Sequence, residues 1–322
     1  MGVPLIVDTD PGVDDAYALT VALTDPEVDV LAVSTVFGNV PVDTTTGNAR
    51  RLLGLLDRLD VPLGQGAARP LVHPAPESAV LVHGHDGLGG RAEDFGEPGD
   101  VEVRRAVDVM AEALETSAEP VVVAAIGPLT NVALLLAVRP DLVDRIRRVV
   151  VMGGAVSVSG NITPVAEFNL RCDPEAARRV LVEEAVPVTL VPLDVTHRCT
   201  VDEVWLERLS ITGPIARVLT GTRDTYLEHY RQALGVSEIP LHDAVAVLEA
   251  IRPGTLATSA LPLEIDTSTG PGRGAVLADR RRLRPDPPAY RPVDVALDAD
   301  VDTVRTSLLD RLSRADEVVG AR

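Results

Sequence analysis

"PLIVDTDPGVDDAYALTVAL", Pro4 to Leu23, decides how this chain is read. An apolar run meets a Pro11-Gly12 turn and then an apolar pattern of helical period, so the stretch reads as strand, turn and helix. Asp8, Asp10, Asp14 and Asp15 crowd that junction. Capping and the helix dipole account for one or two acidic residues at a helix start, but not for four. Carboxylates this close raise one another's pKa unless a cation neutralises them, and an all-oxygen donor set selects a hard ion, Ca²⁺ or Mg²⁺. An EF-hand is excluded, because counting from Asp8 puts Val13 where that loop needs Gly and Leu19 where it needs Glu.

Working outward, "VDVLAVSTVF" (28–37), "PVVVAAIG" (120–127), "IRRVVVMGG" (146–154) and "VPVTLVPLD" (186–194) repeat the strand pattern, separated by helical segments such as "NARRLLGLLDRL" (48–59). This alternation predicts an α/β fold with a mostly parallel central sheet and helices on both faces. Ligands of such sheets sit at the carboxyl ends of the strands, so the loops "DTDPGVDD", "FGN", "GPLTN", "MGGAV" and "DVTHR" should converge on one site. Residues 65–100 read as an irregular flank of that site. From residue 255 a hairpin, a Pro-rich loop and a final helix are expected. No domain boundary is apparent, and a single domain over residues 1–322 is the expectation.

Composition narrows the partners. With 30 basic against 48 acidic residues, a net charge of −18, the surface repels nucleic acid and anionic membranes. The two cysteines, Cys172 and Cys199, are too few for a zinc cluster and read as free thiols. No apolar run is long enough to span a membrane and no cleavable leader is visible, so the expected location is cytoplasmic.

The pieces "DTDPGVDDAYAL", "VFGN", "VHGHDGLGG", "AAIGPLTNVAL", "VVMGGAV", "GNITPVAEFNLRCDPEAA" and "PLHDAVAV" run through most of the chain in one order. In that order the sequence closely resembles the inosine-uridine preferring nucleoside hydrolase family. The resemblance implies a Rossmann-like fold and cleavage of the N-glycosidic bond of ribonucleosides by water, through an oxocarbenium-like transition state. It implies a Ca²⁺ ion held by Asp10, Asp15, Asp243 and the backbone carbonyl of Ile126, with Asp10 also the base that activates the attacking water. It assigns Asp14 to a ribose hydroxyl, Glu167 and Asn161 to the 5′-hydroxyl, and Asn169 to the 2′/3′ side. Asn39 and Met152 match sugar-pocket or base-pocket positions, and His83 and Tyr230 match base contacts, with their near neighbours His85 and His229 as alternatives. His242 falls on the leaving-group side, as a proton donor to the base. Dimers and tetramers are usual in the family, so a homodimer or homotetramer is implied.

Each of these residues has a plainer reading. In an extended segment Glu167 and Asn169 would point the same way and Phe168 the opposite way into packing, but the two could equally be solvated loop residues; Met152 could fill the core; His242 and Asp243 could cap a helix; Tyr230 could be a half-buried aromatic. Two other functions also remain. A Mg²⁺-dependent phosphohydrolase could use Asp8 and Asp10, though the chain has no Lys to steady a phosphoryl group. A nucleoside-binding protein without turnover would need neither a water-activating base nor a leaving-group acid.

Overall fold

The structure, a computed structural model, describes residues 2–73, 77–281 and 291–321. Twelve strands are seen among them: β1 (Val3–Thr9), β2 (Val28–Thr35), β3 (Leu63–Gln65), β4 (Val103–Arg105), β5 (Val121–Ala125), β6 (Ile146–Met152), β7 (Val188–Val191), β8 (Thr200–Asp202), β9 (Glu238–Pro240), β10 (Leu256–Ile265), β11 (Val276–Ala278) and β12 (Pro292–Ala299). Ten form one sheet, in the order β11-β10-β12-β7-β6-β5-β1-β2-β3-β4. From β4 across to β12 the neighbours are parallel, and β10 alone runs against them, pairing antiparallel with β12 and β11. β8 and β9 make a separate antiparallel pair.

The central strands show why the sheet is covered on both sides. Leu5 and Val7 of β1 join one apolar cluster while Ile6 joins another; Val122 and Ala124 of β5, and Val150 and Met152 of β6, divide from their neighbours in the same way. A strand sends alternate side chains to opposite faces, so a run apolar at every position must be buried twice. The helices Val13–Thr24 and His242–Ile251 cover one face, and Ala106–Thr116 and Thr130–Val138 cover the other. Both are long helical runs of small and apolar residues, and Val13–Thr24 is buried on every side.

The five long strands read from the sequence all form. The expected hairpin is β10–β11, in register at Ile265 and Val276, and the expected final helix is Val301–Ser313. The Pro-rich loop lies mostly outside the described residues. Both cysteines are free and buried, and no helix among the described residues is long and apolar enough to cross a membrane.

Candidate active site

The carboxyl ends of β1, β2, β5 and β6 open onto one cavity of about 190 Å³, lined by Asp10, Asn39, Ile126 and Met152 from the loops that follow them. Of the residues assigned from the sequence, Asp14, His83, Asn161, Glu167, Asn169, Tyr230, His242 and Asp243 line it too. Asp15 stands just behind that wall.

Asp10 is held by the turn after β2: its Oδ2 accepts from the backbone N–H of Asn39 at 2.7 Å, and its carbonyl accepts from the Asn39 side chain at 3.1 Å. Its other carboxylate oxygen, Oδ1, is buried with no hydrogen-bond partner. Two glycines make room for this carboxylate, since a Cβ on Gly38 or Gly127 would overlap it. Asp15 accepts from the Thr9 hydroxyl at 2.5 Å, from Gly12 N–H at 2.8 Å and from the Asn39 amide at 3.1 Å. One oxygen each of Asp14, Asp15 and Asp243 lie within 4.8 Å of one another. Asp10 lies outside that triangle, although its charge acts on Asp243.

Burial, then the neighbouring carboxylates, pushes Asp10 and Asp243 well above the usual range, and Asp14 up to about 7. Burial likewise raises Asp15. Among the described residues, no arginine lines the cavity. Buried carboxylates crowded together, with one oxygen left bare and the Ile126 carbonyl on the same wall, are a donor set that fits a hard cation. Asp8 is not part of it: its Oδ1 accepts from Ser34 at 2.6 Å and from Asn131 at 2.8 Å, so it ties β1 to its neighbours beneath the site.

The "AEFN" segment departs from the extended geometry expected. A short helix, Phe168–Cys172, begins directly after Glu167, which caps it by accepting from Asn169 N–H at 2.8 Å and Leu170 N–H at 3.1 Å and also takes Gly154 N–H at 2.8 Å. A helical turn does not alternate sides, so Phe168 faces the cavity beside Glu167 and Asn169 while its ring packs near Val36 and Phe37. The Asn169 amide donates to the Ile126 carbonyl at 3.0 Å and to the Met152 carbonyl at 3.3 Å, pinning the ends of β5 and β6 together. Asn161 is exposed at the rim and accepts from Phe168 N–H at 2.9 Å.

Beside the carboxylates stands a wall of rings. His83 Nδ1 accepts from Val13 N–H at 3.1 Å, which leaves its proton on Nε2; burial, and then His229, holds its pKa down at about 3. His242 has both nitrogens engaged, Nε2 with the Tyr230 hydroxyl at 2.8 Å and Nδ1 with the Thr196 hydroxyl at 2.7 Å. Burial, and then the other histidines, drives it well below its ordinary value, so it is a neutral imidazole. Tyr226 packs between His83 and Tyr230, with ring centroids 5.4 and 5.0 Å away, and its hydroxyl bonds the Asp14 carboxylate. Tyr226 and Thr196 escape the sequence reading of the site, whereas His229, an alternative there to Tyr230, lines the cavity alongside it. Tyr226 was within reach of it, lying one helical turn before Tyr230 on the same face. His85 is exposed and does not line the cavity.

A family model for "Inosine-uridine preferring nucleoside hydrolase" matches residues 5–306. A pyrimidine-specific ribonucleoside hydrolase of Salmonella typhimurium is 38% identical over 312 residues, 96% of this chain and 99% of its own. Among solved structures, a purine-preferring ribonucleoside hydrolase from Gardnerella vaginalis matches with a TM-score of 0.88 at 29% identity, covering 98% of this chain and 99% of that one. A plant nucleoside hydrolase matches with a TM-score of 0.84, also at 29% identity, covering 97% and 99%. Neither the phosphohydrolase nor the silent binding protein finds support in these relatives. The chain belongs to the inosine-uridine preferring nucleoside hydrolase family and hydrolyses the N-glycosidic bond of ribonucleosides.

Proposed function

We propose that the chain is a Ca²⁺-dependent ribonucleoside hydrolase with a preference for pyrimidine nucleosides, in which Asp10 is the base. The observation that carries the reading is the bare, buried Oδ1 of Asp10 beside the cluster of Asp14, Asp15 and Asp243, at a cavity that no arginine lines among the described residues. Asp10, Asp15, Asp243 and the Ile126 carbonyl would hold the ion, and Asp14 is close enough to share in it. When bound, Ca²⁺ supplies positive charge that keeps the carboxylates ionised and anchors oxygen ligands.

The chain's own groups do the rest. Asp10 takes a proton from the attacking water as its oxygen bonds to C1′ of the ribose. Asp14, Asn169, Glu167 and Asn161 receive the sugar hydroxyls, and Met152 and Asn39 shape the floor under the ring. The glycosidic electron pair leaves on the base nitrogen, which gains a proton. The Tyr230 hydroxyl supplies that proton, the neutral His242 holds the phenolate oxygen left behind by a hydrogen bond from Nε2–H, and the phenolate takes a proton back from water once the products leave. His83 offers a fixed Nε2–H donor on the same side.

Pyrimidine preference is supported by the 38% identical relatives, which are pyrimidine-specific, against purine preference in a structural relative at 29%. A single domain, a homodimer or homotetramer and a cytoplasmic location complete the reading; two free thiols suit a reducing compartment. Base release from a panel of ribonucleosides, with and without chelator, tests it. Uridine and cytidine should outrun inosine, chelation should stop release and added Ca²⁺ restore it. Asp10→Asn should lower kcat by about 10² to 10⁴ at unchanged melting temperature. Full activity in that variant would remove Asp10 from the mechanism.

A further inference from the structure

Five rings surround the leaving-group side of the cavity: His83, Tyr226, His229, Tyr230 and His242. A hydrogen-bond inventory separates them. The Tyr226 hydroxyl is bonded to Asp14 and Tyr230, the Tyr230 hydroxyl to His242, and His242 to Tyr230 and Thr196. His83 has given up Nδ1 to Val13 N–H, so only a donor remains. His229 alone keeps both of its nitrogens without a hydrogen bond among the described residues; its one ring contact is edge-on to Tyr230, at 5.2 Å and 88°. It is half-buried and lines the cavity on the helix Arg223–Leu234, directly before Tyr230.

We infer that His229 is a specificity-determining residue, whose ring nitrogens hydrogen-bond to the polar edge of the nucleobase and select between base classes. The argument is one of capacity. A base buried in this cavity must have its ring nitrogens and carbonyl oxygens satisfied, because a desolvated polar edge without a partner costs more than a hydrogen bond gains. Among the rings, the groups free to read that edge are His83, restricted to donating, and His229, able to donate or to accept. The Tyr230 hydroxyl is held by His242 and passes a proton to whichever base leaves, so it does not tell one base edge from another. The Tyr230 contact fixes the plane of the His229 ring, so the nitrogens are presented in one orientation, as a reading group requires.

This inference rests on the ring wall being the base side of a nucleoside hydrolase, and the experiment separates the two. His229→Phe keeps a ring against Tyr230 and removes both nitrogens; His229→Gln keeps a donor and an acceptor. The measurement is kcat/KM for uridine, cytidine, inosine and 4-nitrophenyl β-ribofuranoside, whose leaving group presents no base edge. His229→Phe should lose about tenfold on its preferred nucleosides relative to the aryl riboside, the worth of about one hydrogen bond, and narrow the spread between bases. His229→Gln should recover part of both. An equal loss on all four substrates would make His229 a packing residue for Tyr230, and an unchanged spread between the bases would equally overturn the inference. Should the Phe variant fail to fold, the Gln and Ala variants carry the same comparison. Failure of the wild-type protein to release base from any nucleoside would instead sink the functional reading beneath it.

Discussion

Tyr230 shows how much depends on a single hydroxyl. Its oxygen lies 2.8 Å from His242 Nε2, between the imidazole expected to protonate the leaving base and the space the base would occupy. Burial holds His242 neutral, and burial, first of all causes, raises the Tyr230 phenol, so neither group carries charge at neutral pH. Tyr230→Phe should therefore cut kcat on uridine by roughly 10² while costing an aryl riboside, whose leaving group needs no proton, only a few-fold. Equal losses on the two substrates would take the tyrosine out of proton transfer. Of the residues in this site, the acidic ones were legible because four aspartates beside one turn have no ordinary structural use. The aromatic ones were not, because a Tyr or His on an amphipathic helix looks the same whether it faces core or ligand. Thr196 was less legible still: its role is defined by a partner 46 positions away.

Among the elements, the strands were the easiest to read, since β1, β5 and β6 are apolar at nearly every position and a parallel sheet covered on both faces explains such runs. β3, β4, β8 and β9 span three residues each, too few to show any period. The loop at the end of β2 carries the tightest local constraint. Gly38 approaches the Asp10 carboxylate so closely that a side chain there has no room, and the neighbouring Asn39 N–H is what holds Asp10 Oδ2. Gly38→Ala should therefore destabilise the protein by about 1–3 kcal/mol, as overpacking does, and displace Asp10 with a loss of kcat far beyond what that stability change explains. A thermal melt and steady-state kinetics on one preparation check both, and normal kcat in a stably folded Ala variant would mean the loop yields without moving Asp10. Glu167 illustrates the opposite limit of sequence reading. Its assignment to the sugar gave no hint that it also caps a helix and fastens Gly154, because capping depends on where the helix begins.

At the scale of the whole molecule, the crowded carboxylates are a strain on the fold that a bound cation relieves, and this sets how stability varies with pH. Asp8 and Asp14 titrate at about 7 in the folded chain, and Asp10 and Asp243 well above their ordinary value, against about 3.9 for an aspartate in the unfolded chain. Over that interval the folded state holds protons that the unfolded state has lost, so the stabilisation is full below about pH 4 and is lost as pH rises through the folded values. Four histidines act the other way: burial lowers His83, His197, His229 and His242, so folding favours their neutral forms and stability rises with pH through about 6.5. At pH 6.5 half of the unfolded imidazoles are still protonated, so each histidine adds at most about 0.4 kcal/mol more at higher pH, less than each raised carboxylate loses by pH 8, and the carboxylates set the sign of the slope. The metal-free protein should therefore melt at a lower temperature at pH 8 than at pH 6.5. Ca²⁺ held at these carboxylates would compete with protons for the same oxygens, so the rise in melting temperature on adding it should be larger at pH 8 than at pH 6.5. Scanning calorimetry of chelated and Ca²⁺-loaded samples at the two pH values measures both quantities. A Ca²⁺ increment that shrinks as pH rises would mean that the ion does not bind at these carboxylates.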